Sequence, residues 1–406
     1  RLQKLEPRCL LAAVLVGDFN GDGHQDLAVS APFRRNSLTP ALGSILVYYG
    51  PGPNEPFLDM RSLQGQALRP QDPTLFAYGL SMTAGDFDGD GRDDLAVGGR
   101  YRSGETQAVS IHYGGAGGLD RAPVRIEAPA GDPAGGDFGQ SLRSFDIDDD
   151  GSDELAVGRP YENDENEGRI HIFDVDASRA ASAAATITFG NVNFGAGDRD
   201  ERHEFGRHFA FGRLDEETGN ASIVARMQAK DRGAVVIIRL SRREDGGLSR
   251  GVSQTIFSPL SGGSKDFGAS IDIGDLNGDG AADIVVADRL ARKDDSDDAV
   301  GAVHVFRLRR FFSGGYDPQS AAGYAIEQTV TPLNRRFGDF KRTQTGFASQ
   351  ITLADLDGDG GEELLVAMPR DEETGPDGYR RSAPHIMTFR DRGVGLEEWI
   401  TFGPTQ

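Results

Sequence analysis

The sequence predicts an all-β fold built by repeating one four-stranded antiparallel unit, and three observations predict it. A thirteen-residue signature rich in aspartate and glycine returns five times, and a run of alternating β-branched and aromatic residues follows each copy. The 406 residues also include 55 glycines and 19 prolines, a turn density that suits short strands and not long helices.

The signature reads GDFNGDGHQDLAV from Gly17, GDFDGDGRDDLAV from Gly85, FDIDDDGSDELAV from Phe145, GDLNGDGAADIVV from Gly274 and ADLDGDGGEELLV from Ala354. The leading aspartates Asp18, Asp86, Asp146, Asp275 and Asp355 fall 68, 60, 129 and 80 residues apart, and the double interval predicts a degenerate copy inside it. An aromatic residue and a small one stand eight positions ahead of the aspartate: Tyr78-Gly79, Phe138-Gly139, Phe267-Gly268 and Phe347-Ala348. Phe205-Gly206 then places the missing copy at GRLDEETGNASIVA, with Arg213 where the leading aspartate belongs.

The second run is GSILVYY from Gly43, AVSIHYG from Ala108, GRIHIFD from Gly168, GAVVIIR from Gly233, GAVHVFR from Gly301 and APHIMTF from Ala383, each a third strand. A short fourth strand closes the unit, as over 184–189, 253–257, 325–330 and 397–402. The units span about 1–68, 69–130, 131–190, 191–259, 260–331 and 332–406, one domain over 1–406 without a linker. Four-stranded units at such a period predict a β-propeller, with six blades by repeat count and seven as the alternative.

Composition narrows the partners. Hydrophobic residues make up 37%, enough for a packed core, and no apolar run approaches the ~20 residues of a membrane span. The start at Arg1 shows no charged-then-apolar leader, which fits a trimmed piece of a larger protein. A formal charge of -21 argues against a nucleic-acid surface and for cations. Cys9, the single cysteine, has no intrachain partner and reads as a small core residue.

Within each intact signature, acids or asparagine occupy positions one, three, five and nine. They are Asp18, Asn20, Asp22 and Asp26; Asp86, Asp88, Asp90 and Asp94; Asp146, Asp148, Asp150 and Glu154; Asp275, Asn277, Asp279 and Asp283; Asp355, Asp357, Asp359 and Glu363. Alternate hard oxygens in a tight loop suit Ca2+, which takes six to eight of them. Glycine at position six permits the turn. Position seven carries His24, Arg92, Ser152, Ala281 and Gly361, which share no side-chain chemistry and so fit a backbone carbonyl ligand.

An EF-hand would need glutamate at position twelve and a following helix, whereas Val29, Val97, Val157, Val286 and Val366 stand there in strand-like runs. Mg2+ keeps its waters and favours few protein ligands, and Zn2+ would want Cys or His at ligand positions. Five calcium sites are expected. The fourth unit, with Arg213, Asp215, Glu217 and Ala221 at the corresponding positions, should bind none.

The aromatic-glycine pair, the aspartate signature and the G-x-V-x-V strand together resemble the FG-GAP repeat of integrin alpha-chain propellers and of related bacterial and secreted modules. The resemblance runs along the whole chain. It implies calcium loops between the first two strands of a blade, ligand and partner contacts on the opposite face, and an extracellular or cell-surface binding or adhesion scaffold. Seven blades are usual in that family. Only Ala31-Pro32 keeps its Ala-Pro after the second strand, and no Arg-Gly-Asp sequence occurs.

An arginine replaces or follows that dipeptide in every unit: Arg34, Arg100, Arg159, Arg226, Arg289 and Arg370. A ring of guanidinium groups away from the calcium loops is expected, either a structural wheel paired with acids such as Asp288 and Glu162 or an anion site. His112, His171, His304 and His385 fall in third strands, one per blade, and read as strand-face residues. Long polar loops at 196–204, 291–300 and 370–382 suit recognition of a protein or glycan ligand. The other classes are a lyase, dehydratase or hydrolase acting on polysaccharide or lipid, and a structural spacer in a larger surface protein. No nucleophile elbow, zinc-binding helix motif or phosphate loop supports the enzyme.

Overall fold

The computed structural model describes residues 13–32, 42–50, 65–72, 74–101, 105–130, 137–160, 168–188, 204–214, 220–228, 233–243, 248–259, 264–291, 301–308, 324–330, 347–357, 359–374, 380–391 and 395–402. Six four-stranded antiparallel sheets make up the chain, each with its strands in sequence order, and no helix occurs among the described residues. Blade one holds β1 (Val14–Gly17), β2 (Asp26–Ser30), β3 (Ile45–Tyr48) and β4 (Gly65–Leu68); blade two holds β5 (Leu75–Gly85), β6 (Asp94–Tyr101), β7 (Ala108–His112) and β8 (Val124–Glu127). Blade three comprises β9 (Ser141–Phe145), β10 (Glu154–Arg159), β11 (Arg169–Val175) and β12 (Ala181–Thr188). Blade four comprises β13 (Phe209–Gly212), β14 (Ser222–Gln228), β15 (Gly233–Arg242) and β16 (Leu248–Phe257). Blade five is β17 (Phe267–Gly274), β18 (Asp283–Asp288), β19 (Ala302–Leu308) and β20 (Tyr324–Val330); blade six is β21 (Gln350–Ala354), β22 (Glu363–Thr374), β23 (Arg380–Asp391) and β24 (Leu396–Phe402). The fold class is the β-propeller of four-stranded antiparallel blades.

Contacts divide the chain into two compact units, one with 1–191, 204–207 and 242–248 and the other with 192–203, 208–241 and 249–406. Inside each unit the first strands of successive blades adjoin, β1 to β5 to β9 and β13 to β17 to β21. The same apolar plug joins each pair. The residue after the leading aspartate packs in one cluster with the aromatic of the next blade: Phe19 with Tyr78, Phe87 with Phe138, Leu214 with Phe267, and Leu276 with Phe347. Tyr78, Phe138, Phe205, Phe267 and Phe347 are all 0% exposed. The glycine after the aromatic turns the chain through a left-handed conformation, as at Gly79 and Gly139 with φ of 83° and 85°.

The third-strand histidines belong to this core. His304 is fully buried between Phe267 and Phe306, with Nδ1 2.9 Å from the Thr329 hydroxyl, and His171 repeats the arrangement with Phe138, Phe173 and Thr186. His112 instead gives its Nδ1 hydrogen to the Asp120 carbonyl and accepts from the Tyr78 hydroxyl at Nε2. The His385 side chain lies outside the described residues.

Burial pushes the His304 imidazole down to about 4, whereas in the unfolded chain it titrates near 6.5. The folded state thus binds fewer protons, and the stability this residue contributes is whole above about pH 6.5 and lost as the pH falls toward 4, about 3 kcal/mol in all. Urea unfolding between pH 7.5 and 4.5 should show a flatter acid limb for His304→Gln than for the parent. Parallel limbs would exclude a neutral buried imidazole.

Candidate metal centre

Each intact signature joins the first two strands of its blade, closing on a directly paired couple of residues. The couples are Gly17 with Asp26, Gly85 with Asp94, Phe145 with Glu154, Gly274 with Asp283 and Ala354 with Glu363. Position nine is thus the first residue of the second strand. Blade four pairs Gly212 with Ser222, so its loop is one residue longer, and Ser222 occupies the place assigned from sequence to Ala221. A hydroxyl replaces the ninth carboxylate there. Asp215 and Glu217 lie outside the described residues.

The leading carboxylate organises the turn by accepting backbone N–H groups from inside the loop. Asp18 takes those of Asp22 and Gly23 at 3.1 and 2.8 Å, Asp86 those of Asp90 and Gly91 at 3.0 and 2.7 Å, and Asp275 those of Asp279 and Gly280 at 3.1 and 2.7 Å. Asp146 and Asp355 take those of Gly151 and Gly360 at 3.2 Å. The position-five carboxylate caps position seven, with N–H donors from His24, Arg92, Ser152, Ala281 and Gly361. Gly23, Gly91, Gly151, Gly280 and Gly360 have φ between 84° and 91°, which L side chains rarely adopt.

Position nine points inward. Asp26, Asp94, Glu154, Asp283 and Glu363 are at most 4% exposed. Asp26 accepts N–H groups from Phe19 and Gly50, Asp94 from Phe87 and Gly114, Glu154 from Ile147 and Glu363 from Leu356. Burial, opposed by these hydrogen bonds and aided by neighbouring acids, raises Asp26 to about 6, Asp94 to about 7 and Glu154 to about 8. Burial also raises Asp283 to about 6 despite the Arg307 guanidinium, and lifts Glu363, Asp86 and Asp148 above the usual carboxylate range.

Three loops bring carboxylates together, with ligand atoms within 4.8 Å of one another: Asp86, Asp88 and Asp90; Asp146, Asp148 and Glu154; Asp355, Asp357 and Asp359. Asp88 Oδ1 and Asp148 Oδ1 are buried with no hydrogen-bond partner. A buried carboxylate oxygen without a hydrogen-bond partner, on a residue of such an acidic group, fits a divalent cation. Guanidinium groups stand beside these acids, and of them only Arg92 lies within a loop signature. Arg179 meets Asp88, Arg242 meets Asp148 and Glu154, Arg307 meets Asp283, Arg390 meets Asp357, and Arg92 meets Asp90.

Successive loops also clasp one another. In blades two, three and six position eight donates its N–H to the leading aspartate's carbonyl in the preceding blade, Asp93 to Asp18 at 3.2 Å, Asp153 to Asp86 at 2.7 Å and Glu362 to Asp275 at 2.8 Å. Arg100 lies within β6, Arg159 ends β10 with 1% exposure, and Arg226 lies within β14. Arg289 follows β18 and forms a bidentate pair with Asp266 at 2.6 and 3.2 Å, an acid it shares with Arg226. Arg34, the Arg370 side chain, Glu162, Cys9 and loop residues 196–203, 292–300 and 375–379 lie outside the described residues.

The FG-GAP repeat family matches residues 11–48, 78–112 and 138–173. The chain carries FG-GAP repeats. Curated relatives include integrin alpha-PS3 of Drosophila melanogaster, 33% identical over 154 residues that cover 36% of this chain and 13% of that protein. Integrin alpha-3 of Cricetulus griseus is 31% identical over 155 residues, and integrin alpha-IIb of Homo sapiens 35% over 159, each match covering 36% of this chain and 14% of the relative. The chain thus spans about one seventh of these relatives' length. Among solved structures, a Lactobacillus plantarum protein has a TM-score of 0.45 at 9% identity, covering 92% of this chain and 95% of that one. A Bacillus licheniformis rhamnogalacturonan lyase has a TM-score of 0.37 at 13%, covering 92% and 75%. Likeness at that level carries no functional argument.

The FG-GAP loops give positions five and nine different work. Asp94→Ala would strand two N–H groups that Asp94 now satisfies, at a cost of about 2–4 kcal/mol. Asp90→Ala, at the exposed rim, should cost under about 1 kcal/mol. Urea unfolding in chelator compares them, and equal losses would contradict an inward, structural position nine.

Proposed function

We propose that this propeller is a calcium-stabilised binding scaffold of integrin alpha type, working outside the cell or at its surface and presenting a protein or glycan site on the face away from its aspartate loops. The observation that carries the reading is the repeated loop, with four oxygen-bearing positions on one frame and, in blade two, the buried Asp88 Oδ1 left to an ion. Asp18, Asn20, Asp22 and Asp26, and their counterparts in blades two, three, five and six, would hold the ions, with the position-seven carbonyl as a further ligand. Mutual repulsion of three or four close carboxylates is the cost that a cation removes. Five ions would bring the formal charge from -21 to -11.

The compartment follows from the affinity expected of such sites. Extracellular modules of this ligand type have Kd near 10⁻⁴ M, so a few millimolar calcium would add roughly 2 kcal/mol per site, while cytosolic calcium would leave the sites nearly empty. The integrin-like repeats favour a binding role.

Chelation should lower the melting temperature and millimolar calcium should restore it, while native mass spectrometry should count five ions, and four after Asp275→Ala. A melting temperature indifferent to both chelator and calcium would remove the metal reading. Glycan arrays and surface-protein capture with the calcium-loaded chain test the scaffold, and no saturable ligand in either would refute it.

A further inference from the structure

Position three of the loop is aspartate in blades two, three and six and asparagine in blades one and five. The structure divides the loops along the same line. Asn20 and Asn277 turn their amides inward, each donating to the position-five carboxylate of its own loop at 2.9 Å. Asp88, Asp148 and Asp357 each take a guanidinium on Oδ2, from Arg179 at 2.9 Å, from Arg242, and from Arg390 at 2.7 Å. Among the described residues no arginine or lysine lies within ion-pair distance of Asn20's loop, Asp18, Asp22 and Asp26 included.

We propose that Arg179, Arg242 and Arg390 are positioning residues of the metal loops: each cancels the one charge that aspartate adds over asparagine at position three and holds that carboxylate by Oδ2. The correspondence holds at position three and not in the total charge of a loop, since Arg92 also pairs with Asp90 in loop two and Arg307 with Asp283 in loop five.

The geometry favours positioning over chance contact. Asp88 and Asp148 belong to the acidic groups of blades two and three, and in each the Oδ2 grip leaves Oδ1 buried and unpartnered, as a carboxylate held for a metal by an outer-shell partner would be. Arg179 is itself built in. It sits at φ 66° in the turn between β11 and β12, lies 4.2 Å over the Tyr113 ring and also pairs with Asp120 at 3.1 Å. A non-glycine residue held in that conformation marks a constrained position. Arg179 reaches loop two from blade three, and Arg242, which also meets Glu154 and Asp174, reaches loop three from the end of β15.

The proposal rests on the loops being metal sites, and the experiment separates the two. In chelator, Arg179→Gln should lower the melting temperature by at least about 3 °C, because Asp88 then stands as an uncancelled, largely buried charge. Adding Asp88→Asn, which recreates the asparagine loop of blades one and five, should recover most of that loss. Packing of Arg179 on Tyr113 alone would not be rescued by a change at residue 88. Calcium should narrow the gap between Arg179→Gln and the parent, and the double variant should still bind the parent's number of ions by native mass spectrometry. An unchanged melting temperature for Arg179→Gln, or a double variant no better than the single one, overturns the proposal. If the parent binds no calcium while the rescue in chelator succeeds, the metal reading fails and the charge-matching stands.

Discussion

The structure depends on one apolar contact made again between successive blades inside each unit: the aromatic residue ahead of a blade's first strand packs in one cluster with the residue that follows the preceding blade's leading position. Burying a phenylalanine in such a plug is worth several kcal/mol, since truncating one typically costs about 3–5 kcal/mol. That contact fixes where the loop begins. The leading aspartate is the neighbour of the plug residue, so its carboxylate is set at the rim of the packed layer, close to water yet held by the backbone below it. Phe19 and Phe87 at 0% exposure, one residue after Asp18 and Asp86, show how tightly the core and the acidic loop are joined in sequence.

From that anchor the electrostatics follow. Side chains at odd positions of a loop that turns through a left-handed glycine converge on one side, and acids placed there repel unless something positive is near. The molecule uses three answers in the same few residues. Backbone N–H groups satisfy the leading and ninth carboxylates, guanidinium groups from other strands and turns take up part of the excess charge, and the oxygens left without partners are available to a cation. Burial outweighs the backbone hydrogen bonds at Asp26, Asp94 and Glu154, and the Arg242 guanidinium at Glu154, and raises the proton affinity of all three.

The fold and the loop residues were legible in the sequence because both depend on local order. Strand, loop, strand and turn recur with their glycines and aspartates at fixed intervals, so five signatures mark five loops and the interval from Asp146 to Asp275 reveals the sixth unit. What crosses between strands was not legible. Arg179 lies 91 residues from Asp88 and occupies a turn, Arg242 ends a third strand, and Arg390 lies within one, so no common spacing announces them. The inward role of position nine was hidden for the same reason, since Gly50 and Gly114, which donate to Asp26 and Asp94, come after the third strand. In blade four a one-residue difference in loop length shifted the alignment from Ser222 to Ala221, because spacing without a conserved acid cannot reveal an insertion.

Blade four separates the two layers of the design. Its leading position is Arg213 and its ninth is Ser222, yet β13 to β16 form the same antiparallel sheet as the others, and Leu214 still packs with Phe267 in a buried cluster. The blade's topology therefore comes from apolar packing and strand pairing, which this blade retains, and not from carboxylates at positions one and nine, which it lacks. An ion at an intact loop would then add stability to a blade already specified, by removing repulsion that the core tolerates. Such a division explains how one blade can lack the first and ninth carboxylates while keeping the plug: their loss costs an increment of stability, whereas loss of Leu214 or Phe267 would open the junction between blades four and five.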